Sequence, residues 1–311
     1  MKALILAMVI ALAAQGAAED GDYIKWIDFN IPLAVLKQAY KYDVESQNSD
    51  MPLDFVQLLA YTSAKNWGTF KGSGESADMS ALVKRLRAGE RIGEITADMK
   101  LYDHYLRAYG AVLGSFVGHY EKDGEIHYGL RVFSPIAKGF GYGHSDDFGN
   151  PRNYGYKRSH LGHDMFGSIG TPIIAVEDGI VEALGWNQYG GWRVGIRSLD
   201  RKRYYYYAHL RKDKPYAEGL EEGARVRAGD VIGFLGNTGY STRENVANLK
   251  QPHLHFGLQI IFDESQKDGN NQIWIDTYAL IKFLEKNRMP VERPQGGAYR
   301  RGVETCSFPM E

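Results

Sequence analysis

The chain has 311 residues, 37 Lys and Arg against 38 Asp and Glu, a formal net charge of −1 and 44% hydrophobic residues. That balance excludes a nucleic-acid binder, which needs a basic field to neutralise phosphates, and the apolar content excludes a disordered acidic chain. The length suits about two domains.

Met1 and Lys2 precede an apolar run at 3–14 and the small residues Gly16, Ala17 and Ala18. A basic start, a short apolar core and a small-residue end read as a signal peptide over 1–18, with an uncleaved anchor as the alternative. About 20 apolar residues are needed to cross a bilayer, so no stable span is expected in the mature chain. The mature protein is therefore expected outside the cytoplasmic membrane.

Residues 19–118 read as a helical accessory domain with its own core. Pro32 opens a run through Leu33, Leu36 and Tyr40, since proline in a first helical turn loses no hydrogen bond. Asp50 and Pro52 introduce a second helix at 53–64, a third at 78–86 ends at Gly89, and Thr96 is expected to cap a fourth carrying Tyr102, Leu106 and Leu113. Residues 119–150 read as a connecting β and loop segment.

Residues 151–290 read as an antiparallel β domain closed by a helix. Short β-branched and aromatic runs, at 128–133 and then at 171–176, 179–184, 192–197, 204–210, 231–235 and 253–261, are separated by turn pairs such as Asp178-Gly179 and Gly236-Asn237. Asp276 is expected to cap the last helix and Pro290 to stop it. The polar tail 291–311 is expected to be surface-bound or poorly ordered. Cys306 is the single cysteine, so an intramolecular disulfide and a cysteine-rich zinc site are both excluded.

Histidines concentrate in three stretches of the β half: His160-Leu161-Gly162-His163-Asp164, Tyr207-Ala208-His209-Leu210 and His253-Leu254-His255-Phe256. Alternation in a strand puts His253 and His255 on one face, within reach of one metal ion. On a straight strand His160 and Asp164 would lie roughly 13 Å apart. The chain must therefore bend between them, and Gly162 permits it. Two imidazole nitrogens and one carboxylate oxygen suit Zn²⁺ and leave a fourth position open, as in catalytic sites.

These motifs resemble the lysostaphin-type, LytM-like zinc metallopeptidases, which cut peptide bonds in peptidoglycan. The resemblance spans residues 160–260 and includes the frame Gly170-Thr171-Pro172, Gly229-Asp230-Val231-Ile232-Gly233 and Gly236-Asn237-Thr238-Gly239. It implies an α+β protein whose β half has the lysostaphin-like fold of duplicated hybrid motif type. It also implies one Zn²⁺ per chain, held by His160, Asp164 and His255, with His209 and His253 as the catalytic pair assisting a zinc-activated water. The implied partner is the peptide of peptidoglycan. A catalytically silent scaffold or wall-binding module of the same fold is the alternative, although silent members are expected to lack a ligand or a catalytic histidine, and none is missing.

Against that family pattern, residues 243–251 form an insertion before Pro252, expected as a loop at the cleft rim. His163 is expected not to be a ligand. His104, His119, His127 and His144 are expected to be surface or packing residues, and Tyr204 to Tyr207 to be half core and half surface. A D-Ala-D-Ala carboxypeptidase would place a glutamate shortly before its last zinc histidine; Lys250-Gln251-Pro252 offers none.

Overall fold

In the computed structural model, which describes residues 23–302 except 73, 155, 270 and 296, together with 306–307, Pro32 leads directly into α1 (Leu33–Ser46). Its buried stripe carries Val35, Leu36 and Ala39. Asp54 caps α2 (Phe55–Lys65) by accepting from the Gln57 amide at 2.7 Å, satisfying one of the unpaired first-turn donors. The third helix, α3 (Gly74–Arg87), closes at Gly89, where φ is +94°. A short α4 (Ile92–Thr96) then precedes α5 (Tyr102–Leu113). The expectation that Thr96 caps the long helix fails. Its hydroxyl bonds back to the Ile92 carbonyl at 2.9 Å, so it ends α4 and is not free to cap α5.

The β half opens with a hairpin of β1 (Val117–Lys122) and β2 (Glu125–Leu130), joined through Asp123 and Gly124, both at positive φ, as a tight two-residue hairpin turn requires. Then come β3 (Tyr142–His144), a hairpin of β4 (Pro151–Tyr154) and β5 (Tyr156–Ser159), β6 (His163–Gly167) and β7 (Pro172–Ile174). The long strands β8 (Gly179–Asn187), β9 (Gly191–Ser198) and β10 (Arg203–Ala208) follow, with the short β11 (Arg225–Val226) and β12 (Val231–Phe234). The last strand of the centre is β13 (His253–Ile260), flanked by β14 (Ile273–Trp274).

One eight-stranded antiparallel sheet runs in the order β11-β8-β9-β10-β13-β6-β3, with β14 also on β13, while β12 pairs with β7 separately. Because β3 pairs with β6, residues 119–150 supply an edge strand of the sheet that carries the histidines.

The closing helix, α6 (Tyr278–Leu284), begins where Asp276 accepts from the Tyr278 amide at 2.8 Å. Beyond it, β15 (Val291–Glu292) pairs with β16 (Arg300–Arg301), and β17 (Cys306–Ser307) adds to β1. The described part of the tail is thus strand-paired. The signal peptide assigned to 1–18 lies outside the described residues.

The helices and the sheet share one hydrophobic cluster, from Leu36, Leu58 and Tyr109 to Val194, Tyr205 and Phe256. Phe283 of α6 sits 5.5 Å from the Tyr40 ring and 6.0 Å from the Phe55 ring. Arg203, buried on β10, donates to the Ala111 carbonyl at the end of α5 and to both oxygens of Glu177, which also accepts from Tyr205 and Ser115. The core of the helical segment is therefore continuous with that of the sheet.

Candidate active site

Strand register builds most of the site. On β13, His253 and His255 share a face, as alternation requires, and His255 lies directly across from Asp164 of β6. His160 reaches the same point because the chain bends at Leu161 and Gly162 before β6 begins. Gly162 does not serve through an unusual dihedral, as no positive φ occurs there; it serves through space. A Cβ at that position would lie 2.5 Å from His255 Cε1 and 2.8 Å from the Phe256 carbonyl oxygen.

Three donor atoms converge. His160 Nε2 lies 3.0 Å from Asp164 Oδ1 and 3.0 Å from His255 Nδ1, and His255 Nδ1 lies 2.9 Å from Asp164 Oδ1. Tetrahedral bonds of about 2.0–2.1 Å would set such atoms about 3.4 Å apart, close to this triangle. Two imidazole nitrogens and a carboxylate oxygen aimed at one another are satisfied together by a single cation, so the donor set fits Zn²⁺.

The surroundings orient these donors. Asp147 Oδ1 accepts from His160 Nδ1 at 3.1 Å, which leaves Nε2 as the ligating nitrogen. Arg152 Nη2 bridges Asp147 at 2.5 Å and Asp164 at 3.2 Å. Burial alone would raise the Asp164 carboxyl, but hydrogen bonds from His160 and His255 and the nearby imidazoles hold it well below the usual carboxylate range. Neither Asp147 nor Arg152 was legible as a site residue, since no spacing links them to the histidine motifs.

His209 and His253 face the same point. His209 Nδ1 donates to the Thr238 carbonyl at 2.8 Å and His253 Nδ1 to the Gln251 carbonyl at 2.9 Å, so each ring keeps the lone pair on Nε2. Their ring centroids are 4.7 Å apart, and His253 Nε2 is 3.7 Å from Asp164 Oδ1. Burial, and then the neighbouring imidazoles, push the His209 pKa well down and keep the ring neutral. The backbone at His209 is left-handed, φ +61°, pinned by its amide to the Gly190 carbonyl at 2.7 Å and its carbonyl to the Gly236 amide at 3.1 Å.

His163, next to Asp164 on β6, turns to the opposite face and lies outside the triangle. Its Nε2 is 3.0 Å from His144 Nδ1, and burial pushes its pKa down to about 4. His144, expected to be a surface or packing residue, packs against both His163 and Tyr278. The tyrosine run splits as expected: Tyr205 and Tyr207 are buried in the core, whereas Tyr204 and Tyr206 line the cleft. The inserted loop is tied down by Asn245, whose side chain accepts from Trp192 Nε1 and the Asp213 amide and donates to Asp213 Oδ1.

A profile described as "Peptidase family M23" matches residues 158–270. The L-Ala–D-Glu endopeptidase of Bacillus subtilis is 32% identical over 82% of this chain and 83% of its own length. The glycyl-glycine endopeptidase ALE-1 of Staphylococcus capitis is 38% identical over 38% of this chain and 28% of its own. Among solved structures, a LytM-type protein of Ruminococcus gnavus, described as a candidate glycyl-glycine endopeptidase, superposes with a TM-score of 0.55. It is 25% identical and covers 84% of this chain and 91% of the other.

Proposed function

Because the chain belongs to peptidase family M23, we propose that it is a secreted zinc-dependent endopeptidase that hydrolyses peptide bonds in bacterial peptidoglycan. The observation that carries this reading is the triangle of His160, Asp164 and His255 donor atoms, 2.9–3.0 Å apart, with the rings of His209 and His253 beside it and their Nδ1 atoms committed to backbone carbonyls. In this reading the three residues of the triangle hold one Zn²⁺. Bound zinc supplies Lewis acidity, which polarises a carbonyl oxygen and acidifies water.

His209 and His253 provide the proton transfers. Each has committed its Nδ1 proton to a backbone carbonyl, so each can accept a proton on Nε2 from the attacking water. Once protonated, either ring is a donor to the developing oxyanion or to the leaving amine. Burial keeps His209 unprotonated before the reaction, so its Nε2 lone pair is available to the attacking water.

The L-Ala–D-Glu endopeptidase aligns over the helical segment as well as the β half, whereas ALE-1 aligns over little more than a third of the chain. That favours a stem-peptide bond, L-Ala–D-Glu, over a glycine bridge. Digestion of purified wall by the zinc-loaded protein, with mass spectrometry of the newly formed amino termini, tests both levels. New amino-terminal glutamyl residues are expected. New glycyl termini would move the assignment to a bridge bond, and intact wall with zinc at one equivalent would favour the silent module.

A further inference from the structure

The site opens into a cleft of about 620 Å³ that crosses the face of the large sheet. Four cationic side chains line it: Arg152, Arg158, Arg193 and Lys267. Two of them are neutralised, Arg152 by Asp147 and Asp164, and Lys267 by Glu182 at 2.6 Å. Arg158 and Arg193 have no carboxylate within ion-pair distance among the described residues, and the Nε atom of each is buried without a hydrogen-bond partner. Asp268, the other carboxylate lining the cleft besides Asp164, is exposed beside Tyr204.

Both arginines are held close to the proposed chemistry. Arg158 lies on β5, two residues before His160, between the rings of Tyr189 and Tyr240, at 4.8 and 5.3 Å from their centroids, and its Nη2 donates to the Tyr240 hydroxyl at 2.7 Å. The Tyr240 ring in turn stacks on His209. Arg193 rises from β9. Its neighbour Val194 pairs with Tyr207, and Ala208 pairs with His255, so Arg193 stands in the row of His255, two strands away. At strand spacings of about 4.8 Å that is roughly 10 Å, within reach of a long side chain and one substrate residue. A guanidinium that lines a cleft without a carboxylate partner favours a planar anion, which it can bind in bidentate fashion.

We propose that Arg158 and Arg193 form a carboxylate-binding subsite that selects peptides carrying an anionic residue, a glutamyl residue first of all, beside the scissile bond. The proposal rests on the peptidase reading above and deepens it. Glutamate has two carboxyl groups and the peptide chain uses one, so a glutamyl residue next to the scissile bond keeps one negative charge for this pair.

The test uses the full-length zinc-loaded protein and two peptides whose scissile amide is replaced by an uncleavable ketomethylene link, differing only in Glu or Gln at the following residue. Calorimetric binding should favour the Glu ligand by about 10- to 100-fold, the range of a charge-assisted pair. In Arg158→Met and Arg193→Met the preference should shrink to about threefold or less, with Arg→Lys retaining part of it and added salt weakening the Glu ligand alone. Equal binding of both ligands by the wild-type protein, or a preference unchanged in both Met variants, overturns the subsite. Cleavage of the parent amides is scored separately: if discrimination holds and neither amide is cut, the peptidase reading fails and the subsite stands.

Discussion

At the scale of single residues, the four motif histidines divide by what each imidazole does with its two nitrogens. His160 and His255 turn a nitrogen into the triangle with Asp164, so replacing either by Ala removes a donor, and zinc and hydrolysis should disappear together. His209 and His253 are anchored to carbonyls outside the triangle. Their Ala variants should keep zinc near one equivalent and lose about 10²- to 10⁴-fold in rate. Zinc content and wall-peptide hydrolysis measured on the same preparations decide it; a metal-free His209→Ala protein would refute that division of roles. Two supporting residues make a sharper case. Asp147→Ala frees His160 Nδ1, and Gly162→Ala drives a methyl group into the His255 ring. Each should weaken zinc affinity by about 10- to 100-fold; Asp147→Ala should do so with little change in thermal unfolding of the metal-free protein, whereas Gly162→Ala, whose methyl group also meets the Phe256 carbonyl, should lower its unfolding temperature. Competition with a fluorescent chelator reads the affinity, and wild-type loading in both variants would show that the bend at Gly162 and the Asp147 contact are incidental.

At the scale of elements, the end of β10 matters most. Tyr204 and Tyr206 face the cleft and Tyr205 and Tyr207 face the core, so simple alternation would send residue 209 to the core with them. The left-handed backbone at His209 reverses this and delivers the ring to the cleft. A non-glycine residue there costs of order 1 kcal/mol or more, offset by the hydrogen bonds to Gly190 and Gly236. The junction of α5 with β10 is the second such place. Arg203 is 1% exposed, and its guanidinium joins Glu177 and the Ala111 carbonyl. Arg203→Ala strands the Glu177 charge in the interior and should cost about 3–5 kcal/mol in chemical denaturation. Lys65→Ala, which breaks the exposed pair with Asp78, should cost no more than about 1 kcal/mol. Similar losses in the two variants would mean that the Arg203 network is not a buried tie.

At the scale of the whole molecule, one shared cluster joins the helical segment to the β half. Cutting before Gly118 would uncover Phe283 and the Arg203–Glu177 pair at once. The fragment 118–302 is therefore expected to be insoluble or to lack fixed tertiary packing, seen as a lost near-ultraviolet circular dichroism signal. A soluble, zinc-loaded monomeric fragment would instead show that the helices are a separable accessory domain.

Beside the family resemblance, which implied the donor set of His160, Asp164 and His255, periodicity was enough, from the chain alone, to read the helical first half, the antiparallel second half and the shared face of His253 and His255. Each depends on local backbone geometry, which repeats every two or 3.6 residues and is written in side-chain order. What lay beyond local order was decided by tertiary structure. The extra helix α4 ends at Thr96, whose hydroxyl bonds back to the Ile92 carbonyl. Gly162 is needed for the approach of a strand about 90 residues later in the chain, and the neutral second nitrogen of His209 depends on Thr238, in a different loop. The fusion of the two halves through Arg203 and Phe283, and the lack of a carboxylate partner for Arg158 and Arg193 among the described residues, are likewise properties of long-range packing. Spacing along the chain carries no information about which distant groups meet, because that is set by the collapse of the whole core.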